Sequence, residues 1–329
     1  MFRKAIIAAA GLSGALALAA SASAQVLDLK IGTTSPPGNM QHTSAAEFAK
    51  RATAYAGGKA KVELFGSSQL GSDQEMLQKL KLGTLDMSQP STIMSNVLPE
   101  FGLFDLPYLV KDRAHMTCIA NAIVWPKLAP RIEAQGYKLI GIWENGFRQI
   151  TNSKRPIVKP DDLKGIKIRT PTGTWRIKMF ETYGASPSPM AFSEVFVALQ
   201  TGVMDGQENP FSTVDASKFQ EVQKYLSETN HVYTPSFPTA SLKRFNSWPK
   251  EVQDAVMKAS KEVQPWTYEE AVRLDDETKK KLIAAGMQFN LADRDAFVAA
   301  SKPVYDLFAN QVPGGKELIE QALALAKGC

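Results

Sequence analysis

Short apolar runs alternate with longer stretches of helical spacing along most of the chain, beginning with a strand-like run at Leu27–Thr33 and a helical pattern at Ser44–Tyr55. Lys61–Phe65 repeats the strand signal, Asp73–Leu82 the helix signal, and Leu85–Ser88 supplies a third strand. Within Asp73–Leu82 the apolar Met76, Leu77 and Leu80 share one helical face, and Ser72 or Asp73 is placed to cap its start. This β–α–β–α order predicts an α/β lobe with a largely parallel sheet. Asp112–Gln135 reads as further helix, broken near Pro126 and Pro130, because proline lacks an N–H and clashes with the preceding turn.

The pattern changes near Lys138. Leu139–Trp143 reads as a strand that leads through Asn145-Gly146 into Arg148–Thr151, a place for the chain to cross between lobes. A second series follows, with Gly165–Thr170 as strand and Trp175–Tyr183 and Phe192–Thr201 as helices. From Pro249 to Ala285 the helical rhythm is sustained, with Pro265 expected to kink or break it, and a helix of that length can brace two lobes. Met287–Leu291 reads as a strand, and Asp293–Phe308 and Lys316–Lys327 as terminal helices separated by Pro313-Gly314-Gly315. The expected division is lobe I over 25–147, lobe II over 148–235, and over 236–329 the bracing helix and C-terminal helices that return across both.

The first residues alter what the mature chain contains. Arg3 and Lys4 precede an apolar run, Ala5–Ala20, and Ala22-Ser23-Ala24 supplies the small side chains of a signal-peptidase site. Residues 1–24 are therefore expected to be a cleaved secretory signal peptide, and the run falls short of the ~20 residues that span a bilayer comfortably. No later stretch is long and apolar enough to span one. Without Arg3 and Lys4, 36 basic residues face 33 acidic ones, a net of +3 that is too weak and dispersed to argue for nucleic acid. Cys118 and Cys329 enter a compartment where thiols oxidise, and the sequence leaves open whether they pair.

Catalytic chemistry finds little support. His42, His115 and His231 have no metal-ligand spacing, and the chain has no nucleophile elbow, Walker A loop or dinucleotide-binding glycine pattern. Asp205 and Glu208 are the best acid and base candidates, but carboxylates beside a glycine turn more often cap helices or accept backbone N–H groups. Binding is better represented. Arg148 and Arg169 lie in or just after the apolar β-type segments Ile140-Gly141-Ile142-Trp143 and Ile166-Lys167-Ile168. Strand ends are where open α/β sheets hold ligands, and a guanidinium fork matches both oxygens of a carboxylate. Asn209, before Pro210, carries donors and an acceptor that suit a carboxylate or a hydroxyl.

Six strings carry a resemblance: Gly66–Gly71 (GSSQLG), Phe104–Tyr108 (FDLPY), Asn145–Gln149 (NGFRQ), Leu163–Arg169 (LKGIKIR), Pro189–Glu194 (PMAFSE) and Asp205–Pro210 (DGQENP). In this order the chain resembles the DctP-type substrate-binding subunits of tripartite ATP-independent periplasmic (TRAP) transporters over nearly all of the mature sequence. The resemblance implies a two-lobed periplasmic binding protein fold, each lobe a central sheet flanked by helices, with a long helix bracing both. It further implies that Arg169, in its KIR string, pairs with a ligand carboxylate and that Arg148 and Asn209 contact the ligand. Phe192 would line the cleft, with Asp73 and Ser91 facing it from the first lobe.

Two departures bear on the ligand. Sialic-acid-type members carry a glutamate about where this chain has Ser91, and a small polar residue about where it has Trp175. A polyhydroxylated sugar acid is disfavoured on that reasoning, and Trp175 either narrows the pocket, stacks on a flat ligand, or simply packs in the protein. Aromatic, hydroxy or keto acids and C4-dicarboxylates remain as ligands. The resemblance implies no cofactor and no ion site, a monomeric chain in the periplasm, and integral membrane transporter subunits as partners. A periplasmic enzyme acting through Asp205 or Glu208, and a sensor presenting ligand to a kinase, are the alternatives.

Overall fold

The computed structural model describes residues 26–329, so the expected signal peptide at 1–24 lies outside the described residues. The chain opens with β1 (Leu27–Gly32), α1 (Met40–Tyr55), β2 (Ala60–Phe65), α2 (Asp73–Leu82) and β3 (Met87–Ser88). After two 3₁₀ turns come α3 (Arg113–Ile119), a π-helical segment at Ala120–Leu128 and α4 (Ala129–Glu133). Then follow β4 (Tyr137–Leu139), β5 (Trp143–Phe147), β6 (Gln149–Asn152), β7 (Lys167–Thr170), α5 (Thr174–Thr182) and β8 (Ser186–Pro189). Next are α6 (Val195–Gln200), β9 (Gly206–Asn209), α7 (Phe211–Ala216), β10 (Tyr225–Glu228), β11 (Tyr233–Ser236) and β12 (Thr239–Ser241). The last part holds α8 (Leu242–Ser247), α9 (Lys250–Ala284), β13 (Gln288–Leu291), α10 (Arg294–Ala300), α11 (Lys302–Gln311) and α12 (Gly315–Leu325).

Two sheets define two lobes. The first has the order β2-β1-β3-β12-β4 and the second the order β13-β10-β6-β9-β7-β8. In the first, β1, β2 and β3 run parallel as expected, while β12, which returns after the strands of the second sheet β6 to β10, lies antiparallel between β3 and β4. The predicted strand Leu139–Trp143 is divided, with Leu139 ending β4 in the first sheet and Trp143 opening β5. β5 pairs antiparallel with β11 in a separate two-stranded ribbon. Two of the crossings between the sheets run through this ribbon, since β5 joins β4 to β6 and β11 joins β10 to β12, and α9 makes a third between β12 and β13.

Helix boundaries follow local chemistry. Asn39 caps α1 by accepting a hydrogen bond from the Gln41 N–H, which starts the helix ahead of the apolar spacing. Ser72 and Glu75 form a capping box at α2, and Gly83 closes that helix in the left-handed conformation. The break expected near Pro126 does not occur. The backbone instead widens into the π-helical turn between α3 and α4, which carries Pro126 within it. Pro265 likewise lies inside α9, which continues over 35 residues, or ~52 Å at the α-helical rise. Near its start Val252, Val256 and Val263 pack with Leu29, Phe48 and Trp143 against the first sheet. Near its end Leu282 enters the core of the second lobe with Val195, Val214 and Leu226.

Cys118 of α3 and Cys329 are joined in a disulfide, with Cα atoms 6.6 Å apart and a sequence separation of 211. A link across so long a loop removes entropy from the unfolded chain. Replacing both cysteines, Cys118→Ser with Cys329→Ser, should lower the unfolding free energy by ~2–4 kcal/mol in urea denaturation. An unchanged midpoint would show that the link does not constrain the unfolded chain.

Candidate functional site

The site stands where the two lobes meet the ribbon. From the first lobe, Asp73 is the opening residue of α2 and Ser91 follows β3. Arg148 sits between β5 and β6, Arg169 within β7, Asn209 at the end of β9, and Phe192 just before α6. All six line one cavity of about 110 Å³, together with Thr34, Gln41, Asn145 and Thr213. A wider opening of about 420 Å³ continues outward past Thr34 and Phe192 towards Pro36, Phe196 and Phe219. One hydrogen bond already crosses the cleft, from Asn39 Nδ2 to Thr213 Oγ1 at 2.7 Å.

Trp175 does not join this group. It is 4 % exposed, packs edge-to-face on Phe308 with ring centroids 5.0 Å apart, and fills the space over Gly102. A Cβ at Gly102 would fall 2.0 Å from Trp175 Cδ1. The pocket role is therefore corrected to core packing. Helix α5 presents the tryptophan to the C-terminal helices, and Arg176, its neighbour, to the polar interior.

Arg176 is the residue that sequence reasoning missed. It is fully buried, and donates from Nη1 to Glu208 Oε2 at 2.6 Å and from Nη2 to Asp105 Oδ1 at 2.8 Å. Arg148 reaches the same glutamate, with Nη2 at 3.0 Å from Oε1 and 2.6 Å from the backbone carbonyl. Its Nη2 also donates to Asn209 Oδ1 at 2.9 Å, so Asn209 orients Arg148 as well as facing the cavity. His231 Nε2 lies 3.2 Å from Glu208 Oε2, and its Nδ1 2.7 Å from Thr229 Oγ1. The signal for Arg176 lay in Asp105 and Glu208, two acids inside recognisable strings that needed buried cations.

Electrostatics separates the two cavity arginines. Burial alone would raise the Glu208 carboxyl, but Arg148, Arg176 and the His231 hydrogen bond hold it well below the usual carboxylate range. Burial lowers the His231 pKa despite Glu208, so the ring is neutral near neutrality. Its Nε2–H donates to the carboxylate, and Nδ1 accepts from Thr229. Two guanidiniums thus face two carboxylates, Glu208 and Asp105, in the inner network. Arg169 stands outside it. Its Nε and Nη2 donate to the Met190 carbonyl at 3.1 and 2.7 Å, and it makes no salt bridge among the described residues. Its Nη1 and the second Nη2 hydrogen are left to the cavity, and the Phe192 ring lies 5.8 Å from its guanidinium carbon. Burial brings Arg169 down to about 10, with Arg148 and Arg176 adding to the effect and Glu208 and Asp73 opposing it. Burial also raises Asp73 to about 6, against the pull of Arg169 and the hydrogen bond from Thr34 Oγ1.

Neither acid candidate is free for catalysis. Asp205 Oδ2 accepts the Lys167 N–H at 2.9 Å, as its place beside a glycine led one to expect, and Oδ1 lies 3.2 Å from Lys154 Nζ. Glu208 is not at a turn. It belongs to β9, is wholly buried, and stays ionised at neutral pH.

An interlobe cleft with an open guanidinium edge, built on two sheets joined by a ribbon, defines a two-lobed solute-binding protein. The chain matches over residues 31–311 the DctP family, bacterial extracellular solute-binding protein family 7, and belongs to it. It is 34% identical over 310 residues to the 2,3-diketo-L-gulonate-binding periplasmic protein YiaO of Escherichia coli, covering 93% of this chain and 94% of that one. Identity to the C4-dicarboxylate-binding periplasmic protein DctP of Rhodobacter capsulatus is 32% over 314 residues, covering 94% and 93%. The crystal structure of the sugar acid binding protein DctPAm of Advenella mimigardefordensis, in complex with galactonate, superposes with a TM-score of 0.88 at 32% identity, covering 92% and 99%. These relatives are binding proteins of TRAP transporters and not enzymes, and the fold is that of the family, two lobes braced by a long helix.

Two outcomes follow from the geometry. Trp175→Ala should lower stability by ~3–5 kcal/mol through the cavity it leaves, while an acid that binds the wild type keeps its affinity within a few-fold. Calorimetric titration beside urea denaturation separates the two effects. Glu208→Gln leaves two buried guanidiniums with one carboxylate, Asp105, and should cost ~3–5 kcal/mol at pH 7. Because the folded pKa of Glu208 lies below its unfolded value of 4.5, its stabilisation is full above that value and lost as pH falls. The difference between wild type and variant should therefore shrink in urea titrations below pH 4.5.

Proposed function

We propose that this chain is the exported ligand-capturing subunit of a TRAP transporter, that it binds a small hydroxylated monocarboxylate in the interlobe cleft, and that it passes the ligand to integral membrane subunits as a monomer. The observation that carries this reading is the open edge of Arg169. A buried cation that forms no ion pair among the described residues has room for a bidentate partner, and the Met190 carbonyl fixes its plane in advance. Arg148, held by Glu208 and Asn209, stands beside it as a second, preorganised guanidinium.

Asp73 favours hydroxyl groups over a second carboxylate at the far end of the ligand. When ionised it accepts hydrogen bonds and repels an anion, and Thr34, Ser91 and Asn145 add donors and acceptors around it. The case against a sugar acid rested in part on Trp175, and that part falls with its burial in the core. With the indole gone from the cavity, stacking on an aromatic acid loses its support. YiaO and DctPAm, named for a diketogulonate and for sugar acids, are consistent with this ligand class.

Capture works by closing the lobes about the ribbon. A carboxylate held by Arg169 from the second lobe, with hydroxyls reaching Asp73 and Ser91 on the first, binds the closed form better than the open one. Cleavage after Ala24 would release the mature chain into the periplasm, in keeping with the family's extracytoplasmic place.

A thermal-shift screen of the mature protein against aldonates, 2-hydroxy and 2-keto acids and C4-dicarboxylates, each beside its neutral amide, should show stabilisation by hydroxy acids and none by the amides. Arg169→Ala should then weaken binding of the best acid by ~2–5 kcal/mol, mainly through faster release. Unchanged affinity would remove Arg169 from the site, and a C4-dicarboxylate as the strongest ligand would overturn the role given to Asp73.

A further inference from the structure

Behind the cleft, on the other side of the ribbon, lies a second ionisable cluster that ligand capture does not use. Glu144 on β5 is completely buried. Arg113, at the start of α3, donates to Glu144 Oε1 from Nε at 3.1 Å and from Nη2 at 2.8 Å. The same Nη2 donates to Asp275 Oδ2 on α9 at 3.0 Å. Tyr233, across the ribbon on β11, donates its hydroxyl to Glu144 Oε2. The Phe147 ring lies under the Arg113 guanidinium at 5.9 Å and packs edge-to-face on Tyr233. One cation therefore ties both strands of the interlobe ribbon to the helix that braces the two lobes.

Two carboxylates share that single guanidinium. Burial raises Glu144 to about 7, with Arg113 and Tyr233 opposing the shift and Asp275 adding to it. Burial raises Asp275 too, with Asp276 of α9 and Glu228 of β10 adding to it and Arg113 opposing it. Tyr268 of α9 also faces Tyr233, and both phenols are pushed up and stay protonated. Arg113 and Asp275 are partly exposed, with side chains 20% and 28% accessible, so protons from solvent reach the cluster.

We propose that Arg113, Glu144, Asp275 and Tyr233 form a proton-operated clamp on the interlobe ribbon, which sets how readily the lobes move about it and thereby regulates ligand capture. The proposal rests on the two-lobed binding reading for its consequence, but its mechanism lies in the ribbon alone. With Glu144 ionised, Arg113 pins β5 to α9 through both acids. With Glu144 protonated, Arg113 keeps Asp275, the ion pair to the ribbon is lost, and the ribbon is freed to twist. Alternation along β5 sets Glu144 on the clamp side, while the next residue, Asn145, lines the cavity and donates to Ser91 Oγ at 3.3 Å. Arg148 follows immediately after the same strand.

The test needs no ligand. Spin labels on cysteines introduced at the exposed positions Lys81, on α2, and Val197, on α6, report the interlobe distance by pulsed electron paramagnetic resonance between pH 5.5 and 8.5. The expected result is a narrow distribution above neutrality that broadens below it, with a midpoint near pH 7. Glu144→Gln should be broad at every pH. Asp275→Asn, which removes the neighbouring acid and keeps the buried pair, should shift the midpoint to lower pH. Asp73→Asn should leave the step in place, since Asp73 titrates in the cavity and not at the ribbon. A pH-independent wild-type distribution, a step retained in Glu144→Gln, or a step abolished by Asp73→Asn would each overturn the proposal. Any of these leaves Arg169 and the bound acid to be judged by the ligand screen.

Discussion

A single carboxylate organises the interior of the second lobe. Glu208 receives Arg148, Arg176 and His231, and each of these reaches back to a different part of the molecule. Arg176 continues to Asp105 in the first lobe's segment, and Arg148 stands at the junction of ribbon and sheet. Burying so many charges costs several kcal/mol per ion unless they are paired and hydrogen-bonded. The network meets that cost by sharing: two guanidiniums are matched by two acids, and a neutral imidazole supplies a further donor. Arg169, one strand away and left out of this pairing, turns its open edge to the cavity. On the function proposed above, preference for an acid is a result of where neutralisation inside the protein stops.

Much of the fold was legible because hydrophobic periodicity marked β1 to β3, α2 and α9, and capping chemistry agreed with it at α2. The second sheet was harder. β9 reads Gly-Gln-Glu-Asn, without one apolar side chain, yet it is buried throughout and lies between β6 and β7. A strand whose side chains are satisfied by ions and amides leaves no period-2 hydrophobic signal. β8, Ser-Pro-Ser-Pro, also lacks that signal, and for another reason: it lies at the more exposed sheet edge, where proline is tolerated. Pro126 misled in the opposite sense, since a π-helical turn accommodates it without a break.

The cleft itself was read better than its support. Arginines at the ends of apolar strands, an asparagine before proline and a family of short strings pointed to side chains that do meet around one cavity. Trp175 went astray because an amphipathic helix can turn an indole either way, and only the close approach of Gly102 and Phe308 decides which. Arg176 was invisible for a related reason: one arginine in a helix looks like a solvated charge until a buried acid is found opposite it.

The hydrogen bond between Asn39 and Thr213 joins the two rims of the cleft with protein atoms alone. Part of the attraction between the rims is therefore common to every solute that enters, whatever its length or hydroxylation. In a binding protein the apparent affinity is the intrinsic one scaled by the fraction of molecules already competent to hold the ligand. A rim contact of this kind multiplies that fraction equally for all ligands. It strengthens binding of every solute alike without touching preference among them, so strength of capture and choice of ligand can be adjusted by different residues.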